Sequence, residues 1–287
     1  MNEPSKKPIE LHAADGLKLT GYHFANENPR AAILVCSATA VTQRFYFPFA
    51  RWLSIQGYSV LTLDYRGIGE SLGAPSVKES RARKQDWGEL DMPAALSWLQ
   101  QTYPNKPKHL IGHSAGGLLF GLMPNYRDLA SVVSIGCSIG YVNEAAMPDR
   151  LVASALLNVY FPVATKLFGY LPAKTLGWGE DLPPGVALQW AEWCTNRGYV
   201  SNAFGKDIKK HYYNDLQLPM LVMNMKDDPF ATVSNVDAMN ELFPNATMEK
   251  LWLDPKQYGL ETVGHMGFFR PKNDVLWPKV TEWLQNH

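Results

Sequence analysis

Three short segments carry side chains that could together perform acyl transfer. Residues 109–117 read HLIGHSAGG, so Ser114 stands in a G-x-S-x-G pattern, behind an apolar run and ahead of Leu118-Leu119-Phe120. A serine presented on a sharp strand-to-helix turn sits in strained backbone, and small residues two before and two after it let strand and helix pass without collision. A helix starting there would also leave N–H groups free to stabilise an oxyanion. A serine hydroxyl is a weak nucleophile until a base takes its proton, which requires a histidine and an orienting carboxylate further along. Of the seven histidines, His265 lies in the glycine-flanked loop VGHMGFF at 263–269, where an imidazole can swing into a cleft. Asp227 and Asp228 closely follow the apolar run 221–225, and Pro229 closes the turn. That places a carboxylate at the C-terminal end of a strand, where open α/β sheets keep their sites. Asp228 is the first choice for the acid; Asp227 is the alternative, with a turn or capping role as its ordinary use.

These groups need a scaffold, and the chain's periodicity supplies one. The runs 9–13 and 17–24 flank Asp15-Gly16, a dipeptide suited to a tight hairpin, so an antiparallel edge opens the fold. Short continuous apolar runs follow at 31–36, 58–63, 109–111, 132–135, 221–225 and 248–253. Continuous rather than alternating runs indicate strands covered on both faces, as in a parallel sheet. Between them the helical windows are 45–56, 84–101, 115–123, 233–242 and 275–285, with Pro93 expected to kink the second or restart it after Asp91. The alternation argues for a doubly wound sheet. Residues 140–216 break it: they hold no good strand but contain Trp178, Trp190 and Trp193, and read as a helical cap over a core made of 1–139 and 217–287.

Ser114 in GHSAGG, Asp228 in KDDPF and His265 in GHMGFF resemble the triad of the α/β-hydrolase superfamily, in the order serine, acid, histidine. Residues 61–71, LTLDYRGIGES, are similar to the loop after the second parallel strand of those proteins, so the resemblance covers nearly the whole chain. More narrowly, ATAVTQRFY at 38–46 and LGWGEDLPP at 176–184 resemble a bacterial group of α/β hydrolases whose substrates are unassigned. The implied fold is a mostly parallel eight-stranded sheet with antiparallel N-terminal strands and a helical cap. Many superfamily members carry His-Gly after the third strand, where this chain has Ser37-Ala38 before Thr39. By alignment the backbone N–H groups of Thr39 and Ala115 would form the oxyanion hole, and the Thr39 hydroxyl could add a side-chain donor.

The implied activity is that of a serine esterase, carboxylesterase or lipase-like, working through an acyl-enzyme. Trp178, Trp190, Trp193 and Met266 would line an apolar substrate pocket, since aromatic faces bury large areas with few rotors. A thioesterase, peptidase or acyltransferase would use the same triad, and a binding module on a hydrolase scaffold is the rival from another class. Dehalogenases and epoxide hydrolases would need an aspartate where Ser114 stands.

Composition excludes much else. With 27 Lys+Arg against 27 Asp+Glu and 46% hydrophobic residues in 287, the chain has neither the charge nor the polarity of a disordered one, and no field to draw nucleic acid. The cluster Arg81, Arg83, Lys84 reads as a solvated helix face. Cys36, Cys137 and Cys194 share no metal-ligand spacing and read as buried thiols. His109 and His113 are four apart with no glutamate between, and Gly67 and Gly69 lack a third glycine in register, so neither metal nor nucleotide is expected. The two lysines near the N-terminus precede no apolar run, and residues 151–168 are interrupted by Asn158, Pro162 and Lys166. Neither a secretory signal nor a membrane span is expected, and the cytoplasm is the expected location.

Overall fold

The structure, a computed structural model, describes residues 6–287. Residues 1–5, which open the segment read for a secretory signal and the first core segment, lie outside the described residues. Eight strands form one sheet: β1 (Lys6–His12), β2 (Lys18–Phe24), β3 (Ala31–Cys36), β4 (Tyr58–Leu63), β5 (Lys108–His113), β6 (Ser131–Ile135), β7 (Pro219–Met225) and β8 (Thr247–Leu253). Their order is β1-β2-β4-β3-β5-β6-β7-β8. β1 and β2 pair antiparallel, β2 joins β4 antiparallel, and every later pairing is parallel. The opening hairpin turns on Gly16, whose φ of 84° suits the dipeptide read from the sequence.

The continuous apolar runs are explained by cover on both faces: every residue of β3, β4, β5 and β6 is buried. Alternation sorts them, Ala32, Leu34 and Leu110 into one hydrophobic cluster and Ile33, Val35 and Ile111 into the other. The helices Phe47–Ile55 and Pro278–Leu284 cover the second face through Phe49, Leu53, Val280 and Leu284. Helix Met92–Thr102 covers the first through Met92, Leu96 and Leu99. Because β3, β5, β7 and β8 run parallel, their C-terminal ends open on one edge, which is where the loops carrying Thr39, Ser114, Asp228 and His265 emerge.

Two prolines are accommodated in the same way. Pro93 and Pro162 each occupy the second position of a helix, Met92–Thr102 and Phe161–Phe168, and each helix is preceded by a π turn, Trp87–Asp91 or Leu156–Tyr160. The wider turn relieves the clash of the proline ring with the carbonyl one turn back, and the α-helix restarts at Met92, directly after Asp91, as the sequence suggested. Pro162 likewise leaves Asp149–Phe168 as one helical stretch of 20 residues, within which an 18-residue window has mean hydropathy 1.5 and is 28% buried. By length and composition this stretch could cross a membrane, which differs from the expectation drawn from its three interruptions. Its inner face holds Ala153, Leu157, Phe161 and Ala164; its outer face exposes Leu151, Val152, Val159, Val163 and Leu167.

Two sequence expectations are corrected. Residues 115–123 form two 3-10 turns, Ser114–Gly117 and Leu119–Leu122, rather than an α-helix. A distant segment holds these turns: the Leu118 carbonyl accepts from the Tyr213 hydroxyl at 2.9 Å, the Gly121 carbonyl accepts from the Tyr212 N–H at 2.8 Å, and a Cβ on Gly121 would stand 2.3 Å from the Tyr213 ring. The basic cluster is a solvated face only in part, at Arg81 and Arg83. Arg83 is exposed enough to pair with Asp207, but Lys84 is fully buried beneath the segment between β6 and β7.

Candidate active site

Ser114 follows directly on β5 with φ at 51°, a left-handed backbone that a non-glycine residue adopts at a cost of about 1–3 kcal/mol. Its neighbours must be glycine: a Cβ on Gly112 would lie 2.2 Å from Gly117, and one on Gly116 would lie 2.4 Å from the Cys36 carbonyl oxygen. The motif's spacing is thus a packing requirement of β5 against the turn and against β3.

The structure brings Ser114, His265 and Asp228 together. Ser114 Oγ stands 3.1 Å from His265 Nε2, and His265 Nδ1 stands 2.7 Å from Asp228 Oδ2. The Asp228 side chain is fully buried, and its other oxygen accepts the backbone N–H groups of Phe230 at 2.9 Å and Ala231 at 3.0 Å. A carboxylate accepts, so Nδ1 carries the proton and Nε2 is left to receive the serine's. Burial pushes the Asp228 carboxyl up, but the charge and hydrogen bond of His265 and the two backbone donors outweigh it, and the net direction is down. For His265 burial pulls the imidazolium down, and the Asp228 charge and hydrogen bond reverse this to a net rise above the ordinary 6.5.

Asp227 has a different task. Its Oδ2 accepts from the Thr262 hydroxyl at 2.8 Å and from the backbone N–H groups of Val263 at 2.7 Å and Gly264 at 3.0 Å. It therefore ties down the loop that carries His265 without touching the imidazole. The sequence made Asp228 the first choice and kept Asp227 as the alternative; the direction each side chain leaves the turn separates them.

A hydrogen-bond chain not legible in the sequence connects this loop to the one after β3. The Ala38 N–H donates to the Tyr46 hydroxyl at 2.8 Å, which donates to His113 Nδ1 at 2.8 Å, and His113 Nε2 donates to the His265 carbonyl at 2.9 Å. Burial, with the nearby His265 adding to it, lowers His113 to about 3, so the ring stays neutral with its proton on Nε2. One buried ring thus fixes the backbone of His265 and, through Tyr46, that of Ala38. The Ala38 N–H is taken, whereas that of Thr39 meets no protein acceptor among the described residues.

Thr39, Ser114, Ala115 and His265 border a cavity of about 620 Å³, within the range of small-molecule sites. Trp178, Trp190 and Met266 line it with Val142, Leu157 and Phe230. Trp193 does not, which corrects the expectation: on helix Pro184–Thr195, Trp190 and Cys194 turn to the cavity while Trp193, 1% exposed, packs on Tyr199 with ring centroids 5.2 Å apart. The two motifs at 38–46 and 176–184 meet here, since the Glu180 N–H donates to the Ala40 carbonyl at 2.7 Å. Gly179 is needed at that seam, because a Cβ would lie 2.1 Å from the same oxygen.

The glycine turn at 67–69 serves packing: a Cβ on Gly69 would lie 2.4 Å from Asp64 Oδ2, which accepts the Glu70 N–H at 3.0 Å. Cys36, Cys137 and Cys194 are buried free thiols. Among the described residues no group of His, Cys, Asp and Glu has the arrangement to hold a metal ion.

Comparison with known proteins places this geometry in context. Uncharacterized protein YfhR of Salmonella typhimurium is 27% identical over 176 residues, covering 57% of this chain and 54% of that protein. The counterpart of the same name from Escherichia coli K12 is 28% identical over 120 residues, 39% of each chain, so the chain spans about half or less of the curated relatives it matches. Among solved structures, the Pyrococcus furiosus esterase Pf2001 superposes with a TM-score of 0.63 at 20% identity, covering 99% of this chain and 93% of that one. A soluble variant of monoglyceride lipase from Saccharomyces cerevisiae, in complex with a substrate analog, gives 0.66 at 16% identity, covering 100% and 96%. These likenesses establish the α/β-hydrolase fold, eight-stranded with its antiparallel start. The model of the serine aminopeptidase S33 family matches residues 27–175, more than half of the sequence, and the chain belongs to this family of α/β hydrolases.

Proposed function

We propose that the protein is a serine hydrolase that cleaves carboxylic esters with an apolar acyl or alcohol group. The observation that carries this reading is the unbroken chain Ser114 Oγ, His265 Nε2, His265 Nδ1, Asp228 Oδ2, at 3.1 and 2.7 Å, opening on an apolar cavity. In the reaction His265 takes the Ser114 proton as Oγ attacks the acyl carbon. The oxyanion receives the backbone N–H groups of Thr39 and Ala115, and His265 delivers the proton to the leaving alkoxide. Water, activated by the same imidazole, then releases the acid from the acyl-enzyme. Asp228 holds the productive tautomer and stabilises the imidazolium.

The family description raises a peptidase acting on free amino termini as a second reading. An α-ammonium needs a free carboxylate beside the acyl site. Among the described residues the acid lining the cavity is Glu180, and it is paired with Lys174 at 2.8 Å. That arrangement favours a neutral ester over an amino-terminal peptide.

The test is labelling with a fluorophosphonate, read by intact mass, for wild type, Ser114→Ala and His265→Ala. Labelling of wild type alone, with nitrophenyl ester turnover lost in both variants, is the expected result. A folded wild-type protein that neither labels nor turns over esters overturns the reading in favour of a binding module.

A further inference from the structure

We propose that Lys84 is a positioning residue for the oxyanion hole: its ammonium, by donating to Thr39 Oγ1, turns the Thr39 hydroxyl proton into the cavity as a third donor to the oxyanion. This rests on the serine hydrolase reading above.

Lys84 is fully buried, in a chain where a lysine is expected at the surface. Among the described residues it has no carboxylate partner; its hydrogen bond is to Thr39 Oγ1. Three aromatic rings surround the ammonium, Trp190 at 5.0 Å, Trp87 at 5.2 Å and Tyr199 at 6.0 Å from their centroids, and their negative faces offset part of the desolvation cost. Thr39, Trp190, Cys194 and Tyr199 all line the cavity, so the charge sits just behind the wall that carries one oxyanion donor.

Hydrogen-bond polarity makes the assignment specific. An ammonium has three donors and no acceptor, so Thr39 Oγ1 must accept from it and keeps its own proton for another partner. A neutral amine carries a lone pair, can accept from Thr39, and would withdraw that proton from the cavity. Burial pushes Lys84 down to about 7, with Cys194 acting weakly against it, so the two arrangements exchange near neutral pH. The titratable groups around Lys84 do not compete for this role. Burial raises the Cys194 thiol to about 12 and the Tyr199 phenol well above its usual value, Asp86 accepts the Arg83 N–H, and Glu89 accepts from Gln85.

The experiment compares Lys84→Met, Thr39→Val, Thr39→Ser and the Met/Val double variant on a neutral nitrophenyl ester, with fluorophosphonate inactivation rates alongside. Loss of one oxyanion donor costs about 10²-fold in kcat. Lys84→Met and Thr39→Val should each lose about that much in kcat and in inactivation rate with KM little changed. The double variant should be no worse than Thr39→Val, and Thr39→Ser should recover at least about tenfold of the loss, because it keeps the hydroxyl. Wild type should show a narrow bell-shaped pH profile whose alkaline limb is missing in Lys84→Met. Losses that multiply in the double variant, an alkaline limb that persists, or a change in melting temperature with kinetics intact would each overturn the proposal. So would a loss confined to KM for esters bearing an acyl carboxylate, which would make Lys84 a direct anion ligand. Wild type that labels while Lys84→Met labels equally fast refutes the lysine's role alone; wild type that never labels refutes the hydrolase reading beneath it.

Discussion

Replacing Asp228 by asparagine changes one atom and should cost about four orders of magnitude in kcat/KM. The size follows from how the side chain is held. One carboxylate oxygen accepts two backbone N–H groups, from Phe230 at 2.9 Å and Ala231 at 3.0 Å, so an asparagine must keep its carbonyl oxygen there. Its amide nitrogen then faces His265 Nδ1 at the position now 2.7 Å away, and donates where the carboxylate accepted. Nδ1 must become the acceptor, which moves the ring proton to Nε2 and points it at Ser114, 3.1 Å away. The base is then occupied before the reaction starts. The alternative flip sets the amide against two N–H donors, each left unpaired at about 1–3 kcal/mol, and is disfavoured. In the serine protease template a wrong tautomer costs about 10⁴-fold, or about 5.5 kcal/mol at 1.36 per decade. Asp227→Asn keeps a carbonyl oxygen for Thr262, Val263 and Gly264 and loses only the charge, so the expected loss is at most about tenfold. Burst-phase acylation of a nitrophenyl ester separates the two, and an Asp227 variant slower than the Asp228 variant would refute the argument.

Two further outcomes follow from the same geometry. Because Asp228 raises His265 above its ordinary 6.5, the acid limb of wild-type kcat/KM should have its midpoint above that value. Below the midpoint His265 is protonated and cannot act as base, and in Asp228→Asn the midpoint should fall, because burial then acts unopposed. A limb at the same pH in both proteins would remove Asp228 as the cause. If the apolar cavity takes the acyl chain, kcat/KM should rise about fourfold per methylene, from about 0.8 kcal/mol each, until the cavity is full. Trp190→Ala should flatten that slope more than the half-exposed Trp178→Ala; a flat wild-type series would count against a lining role for both.

The sheet was legible because a strand covered on both faces leaves a continuous apolar run. The runs 31–36 and 58–63 coincide with β3 and β4, and the others lie within two residues of β5 to β8 at each end. Ser114, Asp228 and His265 were legible for a different reason: the first two closely follow strand ends, the third lies in the loop between the last strand and the last helix, and glycine or proline marks a turn beside each. The 3-10 turns after Ser114 were not, because the groups that hold them, the Tyr213 hydroxyl on the Leu118 carbonyl and the Tyr212 N–H on the Gly121 carbonyl, come from a distant segment. Trp193 was misplaced because composition locates aromatics in residues 140–216 without saying which way the helix is rotated. Lys84 was misread for the opposite reason. A basic cluster predicts solvent, and the groups that bury this lysine, Trp190, Cys194 and Tyr199, arrive from a segment more than a hundred residues further along the chain.

These misses share a location, the seam between the sheet and the segment above it, and the seam is where specificity on this fold must be decided. The Ser114–His265–Asp228 chain is built wholly from loops at the sheet edge, and His113 and Tyr46 brace it from beneath. The loop after β3 is different: Ala38 is tied to Tyr46 in the core, but Thr39 and Ala40 answer to the upper segment. Ala40 accepts from Glu180, Gly179 leaves no room for a side chain against it, and the lysine on Thr39 is walled in by Trp190 and Tyr199. A shift of that segment would therefore move a carbonyl and a hydroxyl flanking the Thr39 N–H while leaving the serine–histidine pair in place. On the serine hydrolase proposed above, substrate that fits the cavity would in this way be coupled to oxyanion stabilisation rather than to nucleophile activation. Poor substrates should accordingly lose kcat, and not merely bind more weakly, on an otherwise intact triad.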